Sequence, residues 1–330
     1  MLKYIVKRLA QSVLILLGVS LIIYILIRCM PVSFIDDKIA QMNQGGATIP
    51  EETVNAMKAL YGLEDDSFLG ILKGYWNWLV KLCQFDFGTS FKYGEPVLSV
   101  IQKYMGVSFA VALMATVFEF MIAIPLGITA ATHQYSVRDY VVTVLVMIGI
   151  SLPSFFFGQL LKDFFAMKLG WFPPSGYIDA TGTAVGFEGL ISKIWHLFLP
   201  ILCVVILSIG GRMRMMRTNM LEVLNSDYIR TARAKGLKEK VVIYKHAFRN
   251  TMIPLVTSLA GLLPSLFSGA IITEQVFDLP GIGNIAYQAM VAADIPFIMG
   301  YNMFLALLSV LGVLLADLMY AVVDPRVKLG

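Results

Sequence analysis

Six stretches of this chain, residues 9–27, 107–131, 141–161, 194–211, 252–272 and 297–323, are each apolar over about twenty residues. At a rise of 1.5 Å per residue that is the helix length a hydrocarbon core about 30 Å thick requires. Backbone N–H and C=O groups in lipid must be satisfied within the segment, so the stretches read as helices and the fold class as an all-α integral membrane protein with six transmembrane helices. Composition agrees: 58% of residues are hydrophobic and 15% charged, against about 25% charged in soluble domains. The first stretch follows Lys3, Lys7 and Arg8 and reads as a retained span, since it is long for a signal h-region and no small-residue cleavage site follows. The fourth is the shortest, with Trp195 and Arg212 expected as interfacial anchors at its two ends.

Basic residues near span ends resist translocation, and they set the direction. Residues 212–251 hold ten Lys and Arg (Arg212, Arg214, Arg217, Arg230, Arg233, Lys235, Lys238, Lys240, Lys245, Arg249) against Glu222, Asp227 and Glu239, so this loop is expected in the cytoplasm. Six spans then put both termini inside, together with the 132–140 turn, and sixteen of the 26 basic residues fall inside. The linear division that follows is 1–30 as the first transmembrane helix, 31–103 as an extracytoplasmic subdomain, and 104–330 as a five-helix core carrying the 212–251 loop.

The connection between the first two spans is too long for a turn and rich enough in apolar residues to fold. Ile49-Pro50-Glu51-Glu52 reads as a helix start, while Tyr75, Trp76 and Trp78 are expected along the membrane interface. Cys29 and Cys83 pair only if both lie outside the cytosol; Cys203 stands apart. In the basic loop, Asp227 is an N-cap candidate, Tyr228-Ile229-Arg230-Thr231-Ala232-Arg233-Ala234-Lys235 are good helix formers, and Gly236 suits a C-cap. That predicts a helix of two to three turns, followed by an amphipathic run through Val241, Val242, Tyr244, His246, Ala247 and Phe248 to Pro254. Composition alone leaves the loop either a topology determinant or a docking element.

At this loop the sequence resembles the membrane subunits of ABC importers of the oligopeptide/dipeptide class, whose coupling signature is loosely Glu-Ala-Ala, three residues, then Gly. Ala232 and Gly236 match, Arg230 stands at the Glu position, and Tyr228 with Ala232-Arg233-Ala234-Lys235-Gly236-Leu237 fits the peptide branch, as do His246, Arg249, Asn250 and Pro254. Tyr61-Gly62-Leu63, Asp86-Phe87-Gly88-Thr89-Ser90, Pro96-Val97, Ser151-Leu152-Pro153-Ser154-Phe155, Pro173-Pro174-Ser175-Gly176, Glu274 through Gly283 and Asp324-Pro325-Arg326 extend the likeness over nearly the whole chain, with Phe85 where a glycine is common. The long first connection resembles the B-type subunit. The resemblance implies a peptide permease in the cell membrane with a second homologous permease, two cytoplasmic ATPase subunits holding ATP and Mg, and an extracytoplasmic peptide-binding protein as partners. It implies no cofactor on this chain and coupling through Tyr228, Arg230, Thr231, Ala232, Arg233, Ala234, Lys235 and Gly236. Dipeptide, longer peptide, nickel or glycoside all remain open as the solute.

No Gly-x-x-x-x-Gly-Lys-Ser/Thr phosphate cradle occurs anywhere in the chain, so it is expected to be a transport subunit and not the ATPase. A net charge of +4 does not imply nucleic acid. Glu119 and Asp317 fall inside spans, where an ionised carboxylate costs roughly 3 kcal/mol unless paired or wet. Glu119 reads either as a polar wall of a translocation path or as a helix-to-helix bond. Ser151, Pro153, Ser154 and Gln159 make the third span the candidate pore lining. Pro125, Pro153 and Pro264 interrupt helices. The alternative from another class is an ion-coupled carrier relaying protons through Glu119 or Asp317. His133, His196 and His246 share no metal-ligand spacing.

Overall fold

Apolar length dictates the long elements of the computed structural model, which describes residues 2–28, 67–178, 186–258 and 261–323. Those residues are helical apart from short connections and one isolated Thr89–Pro96 bridge. Among the described residues, four helices are long and apolar enough to cross a bilayer: α1 (Leu2–Arg28), α3 (Val97–Thr132), α6 (Phe187–Leu224) and α13 (Ile295–Val323). A short α2 (Phe68–Cys83) precedes α3. The Ile49-Pro50-Glu51-Glu52 helix start and Cys29 lie outside the described residues.

Three of the expected spans differ from what hydropathy draws. The third is not one rod: α4 (Val137–Ser151) and α5 (Ser154–Leu161), which runs on as a π-helical stretch Lys162–Lys168, are bent by 101° at Leu152-Pro153. A proline ring forbids the helical bond at the break and pushes the preceding residue out of the α region. Of the fifth, α9 (Phe248–Ser258), α10 (Leu262–Phe267) and α11 (Ile271–Val276) are described, and the helix is interrupted between α10 and α11, with Gly269 at φ +72. The fourth, expected to be the shortest and to end at Arg212, is the longest helix, 38 residues. Met213, Met216, Met220 and Leu224 are all buried at 3–4-residue spacing past Arg212. An amphipathic stripe therefore continues the helix where mean hydropathy fails. Arg212 is not an interfacial anchor at a helix end.

Two compact units are formed, one from residues 1–106 with 285–311 and the other from 107–284 with 312–329. In the first, Tyr24 of α1 is 1% exposed and meets the rings of Tyr75 and Trp78 of α2 at 5.5 and 6.2 Å, while the Ser20 and Tyr75 hydroxyls lie 2.8 Å apart. Tyr75 and Trp78 thus join α1 and α2, while Trp76 is 63% exposed. Phe85 has φ 60, a left-handed conformation that costs a non-glycine residue about 1–2 kcal/mol. A glycine there would carry no such cost. Asp294, fully buried, gathers the Ser90 hydroxyl and the amides of Phe91, Lys92 and Phe297, locking the 90–93 turn onto the start of α13.

In the second unit α3, α4 and α6 approach through small residues. A Cβ at Gly127 would lie 2.7 Å from Met216 Cβ, one at Gly149 would lie 3.0 Å from Ile206 O, and one at Gly210 would overlap Ile150. Close backbone approach of this kind is how helices associate in lipid, where no hydrophobic force drives them together.

Candidate functional site

Helix α7 (Asp227–Ala234) is the two-turn rod predicted in the basic loop. Its cap is Ser226, not Asp227, which is the first helical residue; the Ser226 hydroxyl turns back to Val223 O at 2.6 Å. Gly236 at φ +74 ends it: Gly236 N donates to Arg233 O at 2.9 Å and Leu237 N to Ala232 O at 3.4 Å, the paired bonds of a Schellman stop. Arg233 then spans the turn to Glu239, with Nη2 2.8 Å from Oε1. That hydrogen bond holds the Glu239 carboxyl below its ordinary range. A carboxyl lowered on folding stabilises above its unfolded pKa and loses the effect as pH falls through the folded one, so the turn is intact at neutral pH.

One face of the rod is sunk. Ile229 is 0% and Ala232 7% exposed, packed with Ile128, Ala131, Met216, Met220, Leu224, Val242, Ala247 and Leu255. The opposite row, Tyr228, Arg230, Thr231, Arg233, Ala234, Lys235 and Gly236, is exposed. Helix α8 (Glu239–Val241) and a π-helical turn Val242–Ala247 lead from the rod into α9, with Val242 and Ala247 both 0% exposed. The amphipathic run predicted there is helical. The element is thus a short rod with a polar face outward and an apolar face in its socket, following α6 directly and joined to α9 through α8 and the π-helical turn.

Ion pairs brace the helices above the rod. Arg217 of α6 grips Asp139 at the start of α4 through Nε and Nη2, at 2.9 and 2.8 Å. Further along, Arg212 Nε donates to Glu119 Oε1 of α3 at 3.1 Å and Nη1 to Ser258 Oγ of α9 at 3.0 Å, with Phe120 4.6 Å from the guanidinium. Glu119 is 8% exposed and lies thirteen residues before the end of α3, about 20 Å at the helical rise. This pair gives Glu119 the compensation an intramembrane charge requires.

Of the residues expected to line a path, Ser154 faces a cavity of about 560 Å³ completed by Val204, Leu207, Ser208 and the turn Gly269–Thr273. Ser151, whose hydroxyl donates to Met147 O at 2.8 Å, and Pro153 and Gln159 are exposed outside that lining. Beside it Glu274, 1% exposed, accepts from Ser108 Oγ (2.6 Å), Ala270 N (3.2 Å) and Asn284 N (2.8 Å). Among the described residues no group of three or more His, Cys, Asp or Glu is placed to hold a metal ion.

A model of the "Binding-protein-dependent transport system inner membrane component" family matches residues 123–329, the rod, its socket and the cavity included, and a companion model of the N-terminal part of such membrane components matches residues 1–113. The chain belongs to this family of inner membrane transport components. The oligopeptide transport system permease protein AppB of Bacillus subtilis is 36% identical over 98% of this chain and 99% of its own length. The dipeptide transport system permease protein DppB of Alkalihalophilus pseudofirmus is 33% identical over 99% and 100%. A chain of the MetNI methionine ABC transporter, solved in inward-facing conformations, superposes with a TM-score of 0.55 at 18% identity, covering 70% of this chain and 99% of that one. The permease is accordingly a multi-pass membrane protein and a transport subunit, with ATP hydrolysis left to other chains. Family membership sets aside the ion-coupled carrier, and Glu119 is committed to Arg212 in any case.

Within this permease, the residues that sequence reading passed over are Arg212, the Asp139–Arg217 pair and Glu274. In the sequence Arg212 reads as an interfacial anchor and topology charge, Arg217 as a topology charge, and Glu274 only as the first residue of the 274–283 likeness. The available signal was the Met213, Met216, Met220 stripe, which carries both arginines into a helix.

Proposed function

We propose that this permease is one half of an ATP-driven importer of peptides, pairing with a second homologous permease, two cytoplasmic ATPase subunits that hold ATP and Mg, and an extracytoplasmic peptide-binding protein. The reading takes six spans with both termini in the cytoplasm, the extracytoplasmic subdomain over 31–103, and the core over 104–330 with its loop at 212–251. The observation that carries it is the α7 rod, seated by Ile229 and Ala232 with its remaining face exposed. The peptide transport named for AppB and DppB supports the solute class.

Force applied by an ATPase at Tyr228, Arg230, Thr231, Arg233, Ala234, Lys235 and Gly236 passes through the socket to α6 and α9. Ser154 marks the path side of the same unit, and Ser151, Pro153, Gln159 and Glu119, which lie outside the cavity lining, are assigned to the path with it. Coupling requires that the ATPases hold the rod differently in their two states, because a partner binding both equally shifts nothing.

Gly236 offers a test. No atom lies within 4 Å of a Cβ there, so Gly236→Val strains only the left-handed backbone, by about 1–2 kcal/mol, and unwinds the stop of the rod. In the complete complex in proteoliposomes, ATP-driven peptide uptake is expected to fall at least tenfold with the subunits still assembled. Undiminished uptake and substrate-stimulated ATP hydrolysis would refute the coupling role.

A further inference from the structure

Arg212 occupies a position that neither topology nor the ion pair fully accounts for. Helix α6 presents Val204, Leu207 and Ser208 to the open cleft lined on its other side by Ser154 and the turn Gly269–Thr273. Four residues on, Arg212 falls on the same helical face as Ser208, one turn nearer the α7 end of α6 and outside the cavity's own lining, and because Cα–Cβ bonds tilt toward the helix N-terminus the stem of its side chain is directed toward the Ser208 turn.

The guanidinium is held on two sides and left open on a third. Glu119 takes Nε, Ser258 takes Nη1, and Phe120 packs against the plane. Nη2 has no hydrogen-bond partner among the described residues, and the side chain remains 22% accessible. A guanidinium carries five N–H donors in a rigid fork and can serve a carboxylate on one edge while engaged on another. Glu119 offsets most of its charge, so what remains is a directed donor pre-set for an acceptor rather than a free cation that would trap an anion. One turn before it, the Ser208 hydroxyl lines the cleft and donates to Val205 O at 3.2 Å, so its oxygen remains available as an acceptor.

We propose that the Ser154–Ser208 cavity receives the C-terminal end of a short peptide in transit, and that Nη2 of Arg212 takes its terminal carboxylate, with Glu119 and Ser258 as positioning residues. This rests on the peptide reading above. A contact of this kind discriminates by end-group chemistry within the permease itself, apart from selection by the binding protein.

The test uses the complete complex with its binding protein in proteoliposomes and one peptide in two forms, C-terminal carboxylate and C-terminal amide. Affinity of the binding protein for each form is measured separately, and uptake is read with the binding protein saturated. The expected result is a preference of about tenfold for the carboxylate form, reduced to near unity by Arg212→Gln and partly kept by Arg212→Lys. The double replacement Arg212→Gln with Glu119→Gln leaves no orphaned charge and should lose the preference equally. The readout is a ratio, so a smaller amount of folded complex does not disturb it. A preference that survives Arg212→Gln, even if both uptakes fall together, overturns the proposal, as does its loss in the single variant but not in the double. Wild-type complex that moves both forms equally overturns it while leaving peptide transport standing. Wild-type complex that moves neither form overturns the peptide reading, and this one with it.

Discussion

Replacing Glu274 by alanine is expected to cost the permease about 3–5 kcal/mol of stability, because three donors, one buried and two part-buried, lose their acceptor at about 1–3 kcal/mol each before relaxation. Ser108 Oγ, Ala270 N and Asn284 N converge on its two oxygens, and Ser108 in turn accepts from Ile282 N at 2.8 Å. The carboxylate thus closes the chain reversal from Gly269 to Gly283. Glycine is required around it: a Cβ at Gly281 would overlap the carboxylate, and one at Gly269 would overlap the Gly283 backbone. Glu274→Gln keeps one acceptor but points an N–H at a donor, and should cost roughly half as much. Thermal denaturation of the purified permease reads this directly. An unchanged midpoint for Glu274→Ala would mean that the hub holds nothing together.

The second large effect is at the socket of the rod. Ile229→Ala removes a side chain with no exposure from a cluster supplied by α3, α6, α7 and α9, and large-to-small changes of this kind cost about 2–5 kcal/mol. The loss falls on the joint itself: α7 keeps its exposed row but no longer moves rigidly with α6 and α9. ATP-driven uptake should drop about tenfold or more while ATP hydrolysis proceeds without a matching yield of transported solute. Tyr228→Ala, on the exposed row at 48%, should leave the denaturation midpoint within the range of ordinary surface changes, about 0.5 kcal/mol. Equal losses of stability in the two variants would place both side chains in the same environment and remove the distinction between socket and handle.

Much of this molecule was legible because the bilayer allows few solutions. Apolar length alone marks α1, α3 and α13, and the Asp227 to Gly236 string marks α7 through helix formers ended by a residue that tolerates positive φ. Hydropathy failed where polarity and helicity part company. Arg212, Arg214 and Arg217 look like a span boundary, but Met213, Met216 and Met220 carry the helix through them, and Arg212 and Arg217 find Glu119 and Asp139 across the packing. Proline and glycine erred in the other direction: Leu152-Pro153 and Gly269 break two stretches that averaging over twenty residues draws as continuous. The partners of Glu274 and Asp294 were not readable, since each gathers donors from segments far apart in sequence.

The central claim is that α7 is a handle held by an ATPase. Its most direct test is site-directed crosslinking in the complete complex, with single cysteines at Arg230 and Thr231, both on the exposed row, and a short bifunctional maleimide. The account predicts a crosslink to an ATPase subunit whose yield changes between nucleotide-free and ATP-bound complex. No crosslink to either ATPase in any nucleotide state, or labelling of these cysteines by an impermeant reagent added from outside the cell, would contradict it.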